Sequence, residues 1–250
     1  MQKSDYDRLA DSVFQEINAV RQDPKSLIPF VRAARTHFRD LEYRNPANEF
    51  FVLTKEGVKA IDDALAFLEK APSRPALARN PQIDRAAGML ADQIGREGLV
   101  AHGEGDFELI ARIKASVGQV GNLAENLSFG WKDPREVVTQ MIVDDGLPTR
   151  GHRQSLFSGE FAQVGVASGP HKLYNHVTVV NFYGNPSTDE ESFKEFEIDK
   201  KYWPENASNV QKHIEVTYKE NKRFVRSTYE FEMPDGRKVI KERLFLKPLK

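Results

Sequence analysis

Residues 150–184 read RGHRQSLFSGEFAQVGVASGPHKLYNHVTVVNFYG, and this stretch decides the fold. Gln163–Ala167 and the β-branched run His176–Gly184 are typical of strands. The intervening SGPHKLY, which contains His171, is predicted to be the tip of a hairpin. Upstream of the hairpin, His152 lies in the polar, glycine-flanked stretch TRGHRQS, which predicts an accessible loop.

Helical periodicity dominates the chain before this stretch. Apolar residues recur every three or four positions in six segments, and three segments begin with an Asx-Pro pair that supplies an N-cap and a first-turn proline. Asn122–Phe129 is predicted to be a strand, and residues 40–52 a loop. Helices alternating with a few strands predict an α+β layered domain. The predicted helices run through Leu9–Val20, from Asp23 to Ala34, from near Thr54 to Leu68, from Asn80 to Ile94, from Asp106 to Ser116 and from Asp133 to Ile142.

The composition changes after the layered domain, which is predicted to cover residues 1–186. Residues 187–209 are acidic and polar with few apolar anchors, the profile of a linker. Residues 210–250 form the C-terminal extension, in which HIEVTY, FVRSTYEFEM and KVIKERLFL alternate apolar and polar side chains. This alternation predicts a three-stranded antiparallel meander over residues 210–247.

Charge and cysteine content exclude several classes of protein. The 250 residues carry 36 Lys and Arg against 37 Asp and Glu, and this balance argues against nucleic acid as a partner. No apolar run approaches the length of a transmembrane segment. Because there is no cysteine, disulfides and thiolate metal sites are excluded, and any metal must bind to His and carboxylate side chains.

Two histidines and three acids are the candidates for chemistry. His102 in LVAHGEGD resembles His152 in lying between glycines and polar residues. Glu125 in LAENLSFG shares a strand face with two leucines, so a buried carboxylate there requires a partner, and a histidine is the obvious one. Asp144 and Asp145 follow the helix EVVTQMIV.

These motifs, taken in order, resemble the SCP-like or CAP superfamily, named for cysteine-rich secretory proteins, antigen 5 and pathogenesis-related proteins. The resemblance begins at FQEINAVRQDP and ends near Pro186, about three quarters of the chain. The motifs that carry it are AHGEGD, AENLSFG, EVVTQMIVDD, RGHRQSLF, AQVGVASG and VTVVNFYG. The family implies a three-layer α-β-α sandwich with a shallow cavity lined by two histidines and two acids. The form DDGLPTRGHR and the lack of cysteine resemble a microbial branch.

Carried onto this sequence, the cavity tetrad is His102, Glu125, Asp144 and His152, with Asp145 as the alternative second acid. The chain departs from the family pattern in that helix. Met141 stands where tryptophan is usual, the aspartate is shorter than the usual glutamate, and DGLPT separates it from the last histidine. A metal, Zn²⁺ or another divalent cation, would bind weakly to His102 and His152.

Alternative roles are open at each position. Glu125 with either histidine could be a structural ion pair that fixes sheet to helix. Asn126 is expected to satisfy backbone groups at the turn or sheet edge. Arg153 could clamp an anionic ligand, or pair with Asp144 or Asp145 at a helix start.

Three functions follow from the resemblance and the residues. The first is a binding module for a small apolar ligand, a peptide or a partner protein, because family members are associated with sterol, fatty-acid and protein binding. The second is a zinc-dependent hydrolase in which Glu125 is the general base. The third is a structural or adhesive surface protein. The family implies an extracellular or periplasmic mature form, whereas the charged start MQKSDYDRLADSVFQEI without an apolar leader also fits a cytoplasmic protein.

Overall fold

A four-stranded mixed sheet lies at the centre of the first part of the chain. In the computed structural model its strands run in the order β4 (Ala78–Arg79), β6 (Gln163–His171), β7 (Asn175–Tyr183) and β5 (Leu123–Phe129). The β4–β6 pair is parallel and the other two pairs are antiparallel. The structure describes residues 4–44, 51–103, 108–118, 121–184, 208–219, 222–235 and 238–248.

Helices cover both faces of this sheet. Val177 and Val179 of β7 pack against Leu90 and its neighbours in α4 (Pro81–Glu97) on one face. Val180 and Phe182 of the same strand join the larger core on the other face. That core is built with α1 (Asp5–Gln22), α6 (Pro134–Val143) and α7 (Gly151–Phe157). A strand buried on both faces explains the continuous apolar run in β7. The three-layer α-β-α fold predicted from the sequence is therefore confirmed.

Local capping residues mark the starts of some of the helices. The helices are α1 (Asp5–Gln22), α2 (Ile28–Ala34), α3 (Val58–Lys70), α4 (Pro81–Glu97), α5 (Leu109–Val117), α6 (Pro134–Val143) and α7 (Gly151–Phe157). Asn80 and Asp133 accept hydrogen bonds from first-turn amides of α4 and α6, each followed by proline, as the Asx-Pro pairs predict.

Two predicted helix starts were wrong, and the helix predicted from Asp23 to Ala34 begins as a 3₁₀ helix (Pro24–Leu27) before α2. The helix expected near Thr54 begins at Val58, because the carboxylate of Asp145 accepts hydrogen bonds from the amides of Lys55 and Glu56. The helix expected from Asp106 begins at Leu109, and Asp106 lies outside the described residues. The predicted loop over residues 40–52 contains one strand of a second sheet, β2 (Glu42–Tyr43). It pairs with β1 (Phe38–Arg39), just before the loop, and with β3 (Val52–Leu53), at its end.

The C-terminal part of the chain is the predicted antiparallel meander. Its strands are β8 (Ser208–Lys219), β9 (Lys222–Glu232) and β10 (Lys238–Pro248), with β9 in the middle. The chain divides into two compact units, residues 1–187 and 188–250. Residues 185–207, with most of the predicted linker, lie outside the described part. Within the described ranges, no helix combines the length and apolar character that crossing a bilayer demands.

Candidate functional site

The first half of the candidate site is a hydrogen-bonded pair of His102 and Glu125. The Nδ1 of His102 lies 3.0 Å from Oε1 of Glu125. The glutamate side chain is 3% exposed and the histidine ring 59% exposed, so the pair joins a buried carboxylate to a ring that faces solvent. Strand alternation puts Glu125 on the face of β5 that packs against α4 and α5, together with Leu123 and Leu127.

Two further residues hold the Glu125 carboxylate. The fully buried Arg112 of α5 donates to Oε2 of Glu125 across 2.6 Å and to the carbonyl of Ala86 across 2.8 Å. The side-chain amide of Asn181 is oriented with its oxygen toward Arg112. In this orientation its nitrogen donates to the same Oε2 of Glu125 across 2.6 Å. Both carboxylate oxygens therefore accept hydrogen bonds, one of them from a guanidinium. A carboxylate engaged in this way is poorly suited to take a proton from water, which argues against Glu125 as a general base.

The second half of the site is the pair of His152 and Asp144. The Nδ1 of His152 lies 2.7 Å from Oδ1 of Asp144, and the backbone amide of His152 donates to Oδ2 across 2.8 Å. The Asp144 side chain is 1% exposed and that of His152 is 25% exposed. Asp144 ends α6 in the left-handed region, with φ 54° and ψ 45°, a conformation that aspartate adopts more readily than most residues. This backbone turn aims the carboxylate at the start of α7.

The environments of His152 and Asp145 differ from the sequence-based expectations. His152 lies in the first turn of α7 and not in a loop, because the Asp144 carboxylate accepts the free first-turn amides of His152 and Arg153 and so takes the place of a capping side chain. Asp145 contacts neither histidine among the described residues. Its carboxylate accepts the amides of Lys55 and Glu56, so Asp144 and not Asp145 is the acid beside His152.

Asn126 connects β5 to the second pair. Its amide nitrogen donates to the carbonyl of His152 across 2.9 Å, which matches the backbone-satisfying role expected for it. Asn126 follows Glu125 in the strand and therefore points to the opposite face, toward α6 and α7. Adjacent residues of one edge strand thus hold the two histidine–acid pairs, one from each face of the sheet.

Arg153 is part of the framework of the domain. It is 4% exposed, its guanidinium donates to Asp63 across 2.9 Å, and it also donates to the carbonyls of Ile142 and Val143. Burial is the main cause that lowers its pKa. The guanidinium contacts Asp63 and not the Asp144 or Asp145 carboxylates, and a group buried this way is not available to clamp an exposed anion.

A second ion network fixes the loop between Asp144 and His152. Arg150 donates to both carboxylate oxygens of Glu56, at 2.6 and 2.8 Å, and to the carbonyl of Asp144 at 2.8 Å. Glu56 also accepts the amide of Gly146. The hydrogen bond from Arg150 is the main reason why the pKa of Glu56 falls from 4.5 to about 2. Glu56 therefore ties α3 to the loop that positions His152.

This pKa predicts an acid-dependent loss of stability. The folded-state pKa of Glu56 is depressed, so its stabilising contribution is fully present above its unfolded-state pKa and is lost as the pH falls toward about 2. Thermal unfolding of the Glu56→Gln variant should show a smaller fall in Tm between pH 5 and pH 3 than the wild type. Equal slopes for both proteins would show that the Glu56 contacts contribute nothing to folding.

The two pairs share a chemistry that suits metal binding. In each, a carboxylate contacts Nδ1, which favours the tautomer with a proton on Nδ1 and a lone pair on Nε2. Within the described residues, Nε2 of neither histidine forms a hydrogen bond, and no group of three or more His, Asp or Glu side chains is placed to hold an ion. The described residues therefore do not form a closed structural metal site.

His171 and His176 have structural contacts. His171 is buried, and its Nε2 lies 2.9 Å from the carbonyl of Leu99. His176 contacts the hydroxyl of Tyr6 through Nδ1 at 3.2 Å, and burial is the main cause that lowers its pKa. His171 ends β6 and does not lie at the tip of the hairpin.

No family model and no curated protein matches the chain. Solved structures that resemble it include an outer surface protein from Borrelia burgdorferi, with a TM-score of 0.37 and 18% identity over 43% of this chain and 77% of that one. They also include an extracellular protein containing an SCP domain from Bacillus anthracis str. Ames. That match has a TM-score of 0.38 and 18% identity, and covers 45% of this chain but only 35% of the Bacillus protein. The SCP domain is the class that the sequence motifs resemble.

Proposed function

We propose that residues 1–186 form an exported SCP-like binding module, in which the region around the two histidine–acid pairs holds a small apolar ligand, a peptide or a partner protein and takes up a divalent metal such as Zn²⁺ weakly. One observation carries the proposal. Each ring is held at Nδ1 by a carboxylate that is at least 97% buried, so Nε2 is left for an external ligand. Export rests on the motif resemblance.

Exposed apolar side chains beside His102 support an apolar ligand. Leu99 and Val100, just before His102, are 43% and 61% exposed. Leu173 and Tyr174 at the β6–β7 turn are also exposed, and Leu173 lies against Gly98. Contiguous exposed apolar residues mark interaction sites more often than isolated ones do.

The hydrolase alternative has weaker support. The carboxylate of its general base, Glu125, already forms hydrogen bonds with His102, Arg112 and Asn181. Asp144 is likewise occupied by His152 and by backbone amides. Since both acids serve to orient histidines, the described side chains offer binding groups and no activated nucleophile.

Calorimetric titration with Zn²⁺ tests the proposal. We expect measurable binding to the full chain, loss of binding in His102→Ala and in His152→Ala, and a roughly 10- to 100-fold weaker affinity in Asp144→Asn, where the carboxylate orients the ring. Binding should also weaken as the pH falls, because protons compete for the imidazole nitrogens.

The matched controls are His171→Ala and His213→Ala, which should bind Zn²⁺ as the wild type does. If either His102→Ala or His152→Ala retains full binding, the two histidines do not share a site, and a cavity tetrad is the wrong description.

A further inference from the structure

The edge of the central sheet at β5 offers unused backbone groups. In the order β4-β6-β7-β5, this strand pairs with β7 on one side only. The other edge of the sheet is formed by the two-residue strand β4. In contrast, β5 (Leu123–Phe129) pairs with β7 along its whole length without a register shift. The edge at β5 is therefore the longer of the two.

The register shows which groups point outward. The amide of Gly184 donates to the carbonyl of Asn122, and that of Gly130 donates to the carbonyl of His176. Both bonds join even-numbered residues of this segment to β7. In an antiparallel ladder the direction of the backbone N–H and C=O groups alternates along the strand, so those of the odd-numbered residues point away from β7. The outward N–H and C=O groups belong to Leu123, Glu125, Leu127 and Phe129. Within the described ranges, none of these groups forms a hydrogen bond.

The edge carries only one of the usual protections against strand addition. Natural edge strands are commonly blocked by lysine, proline, a bulge or an inward-pointing charge. The strand LAENLSF has no lysine and no proline, and its register with β7 is continuous. Its single charged residue, Glu125, does point inward, but the charge is paired with Arg112 and leaves the backbone groups of the strand uncovered.

The geometry around the edge favours one extended chain as the occupant. Donors and acceptors that recur on every second residue, about 6.8 Å apart, match the backbone of another strand and not a compact small molecule. On one face of β5 lie Arg112 and His102, and on the other lies the start of α7 at His152. Because helical layers cover both faces, a single peptide fits between them more readily than the sheet edge of a second folded copy.

We propose that β5 binds an extended peptide of a partner protein by strand addition, between the two histidine–acid pairs. Side chains on one face of the peptide would meet the apolar Leu127 and Phe129 and the ring of His102. Those on the other face would lie on the side of the buried polar residues Asn126 and Ser128, next to the first turn of α7. The peptide partner therefore alternates apolar with small or polar residues. The inference rests on the proposed binding function and specifies its ligand.

The experiment uses the full chain and a phage-displayed library of linear heptapeptides, selected in the presence of a chelator. Each enriched peptide is then synthesised with a single N-methyl group at every position in turn. We expect methylation at alternate residues to weaken binding roughly tenfold or more, since it removes a donor that faces β5 and inserts a methyl group into the ladder. Methylation at the intervening residues should change affinity by less than about threefold.

Amide exchange of the unmodified protein provides a second readout. The N–H groups of Leu123, Leu127 and Phe129 should exchange rapidly in the free protein and slowly with peptide bound, whereas Ala124 and Ser128 should be protected in both states. Failure to enrich any peptide, binding that is insensitive to N-methylation, or unchanged exchange at Leu127 would overturn the proposal. Because the peptides are selected with a chelator present, peptide binding is measured separately from metal binding. Absence of a Zn²⁺ site would therefore not contradict strand addition, and absence of strand addition would not contradict the Zn²⁺ site.

Discussion

Replacing Gly95 with alanine is expected to destabilise the layered domain by roughly 3 kcal/mol, because α4 and β6 are in direct backbone contact there. A Cβ on Gly95 would lie 2.2 Å from the carbonyl oxygen of Pro170, and neither backbone can move without disturbing its own hydrogen bonds. The carbonyl of Gly95 also accepts the amide of Lys172. Urea unfolding followed by far-UV circular dichroism gives the free energy directly.

Gly88 of the same helix is the matched control. A Cβ on Gly88 would meet only the side chain of Ala167, at the ordinary contact distance of 3.9 Å. Gly88→Ala should therefore stabilise the domain by about 1 kcal/mol through helix propensity alone. Similar changes in the free energy of unfolding at the two glycines would show that the close approach of α4 to β6 at Gly95 does not require glycine.

Sequence periodicity was sufficient for most of the layered fold. The apolar run His176–Gly184 predicts a buried strand, and the observed β7 is buried on both faces. The Asx-Pro pairs at Asn80 and Asp133 mark the starts of α4 and α6 because capping is a local property of the chain. The start of α3 was misplaced because it depends on Asp145, which lies 90 residues further along the sequence.

The candidate site was predicted in its residue types and only partly in its contacts. A carboxylate between leucines on a strand face requires a partner, and Glu125 has one in His102. The choice between Asp144 and Asp145 depended on where α6 ends. The left-handed backbone at Asp144 turns its side chain to His152, and no spacing in DDG indicates which aspartate adopts that conformation.

Arg112 and Asn181 could not be identified from the sequence. Arginine is expected at the surface, and Arg112 lies 13 residues from Glu125 within a short helix whose pattern gives no sign of an inward charge. Asn181 interrupts an apolar strand, which is a weak sign of a buried polar contact. Its position directly opposite Glu125 is known only from the register of β5 and β7. Tertiary pairing, and not local pattern, completes the first histidine–acid pair.

The buried pair of Arg112 and Glu125 should have the largest effect on stability. Among the described residues, Arg112→Met would leave the Glu125 charge, 3% exposed, with His102 and Asn181 as donors. We expect a loss of about 3–5 kcal/mol, because an unpaired charge in the interior keeps its desolvation penalty without the compensating guanidinium. The double variant Arg112→Met/Glu125→Leu should recover much of this loss, since it removes both charges.

An exposed pair separates this effect from the simple loss of an arginine. Arg135 of α6 pairs with Glu16 across 2.9 Å while its own side chain remains 52% exposed. Arg135→Met should therefore cost about 1 kcal/mol or less. In the same urea series, a loss below about 1 kcal/mol for Arg112→Met, or a double variant as unstable as the sum of its single variants, would contradict the buried pair. In the expected case, Arg112 fixes the carboxylate that orients His102, and the stability of the layered domain and the geometry of the candidate site depend on the same contact.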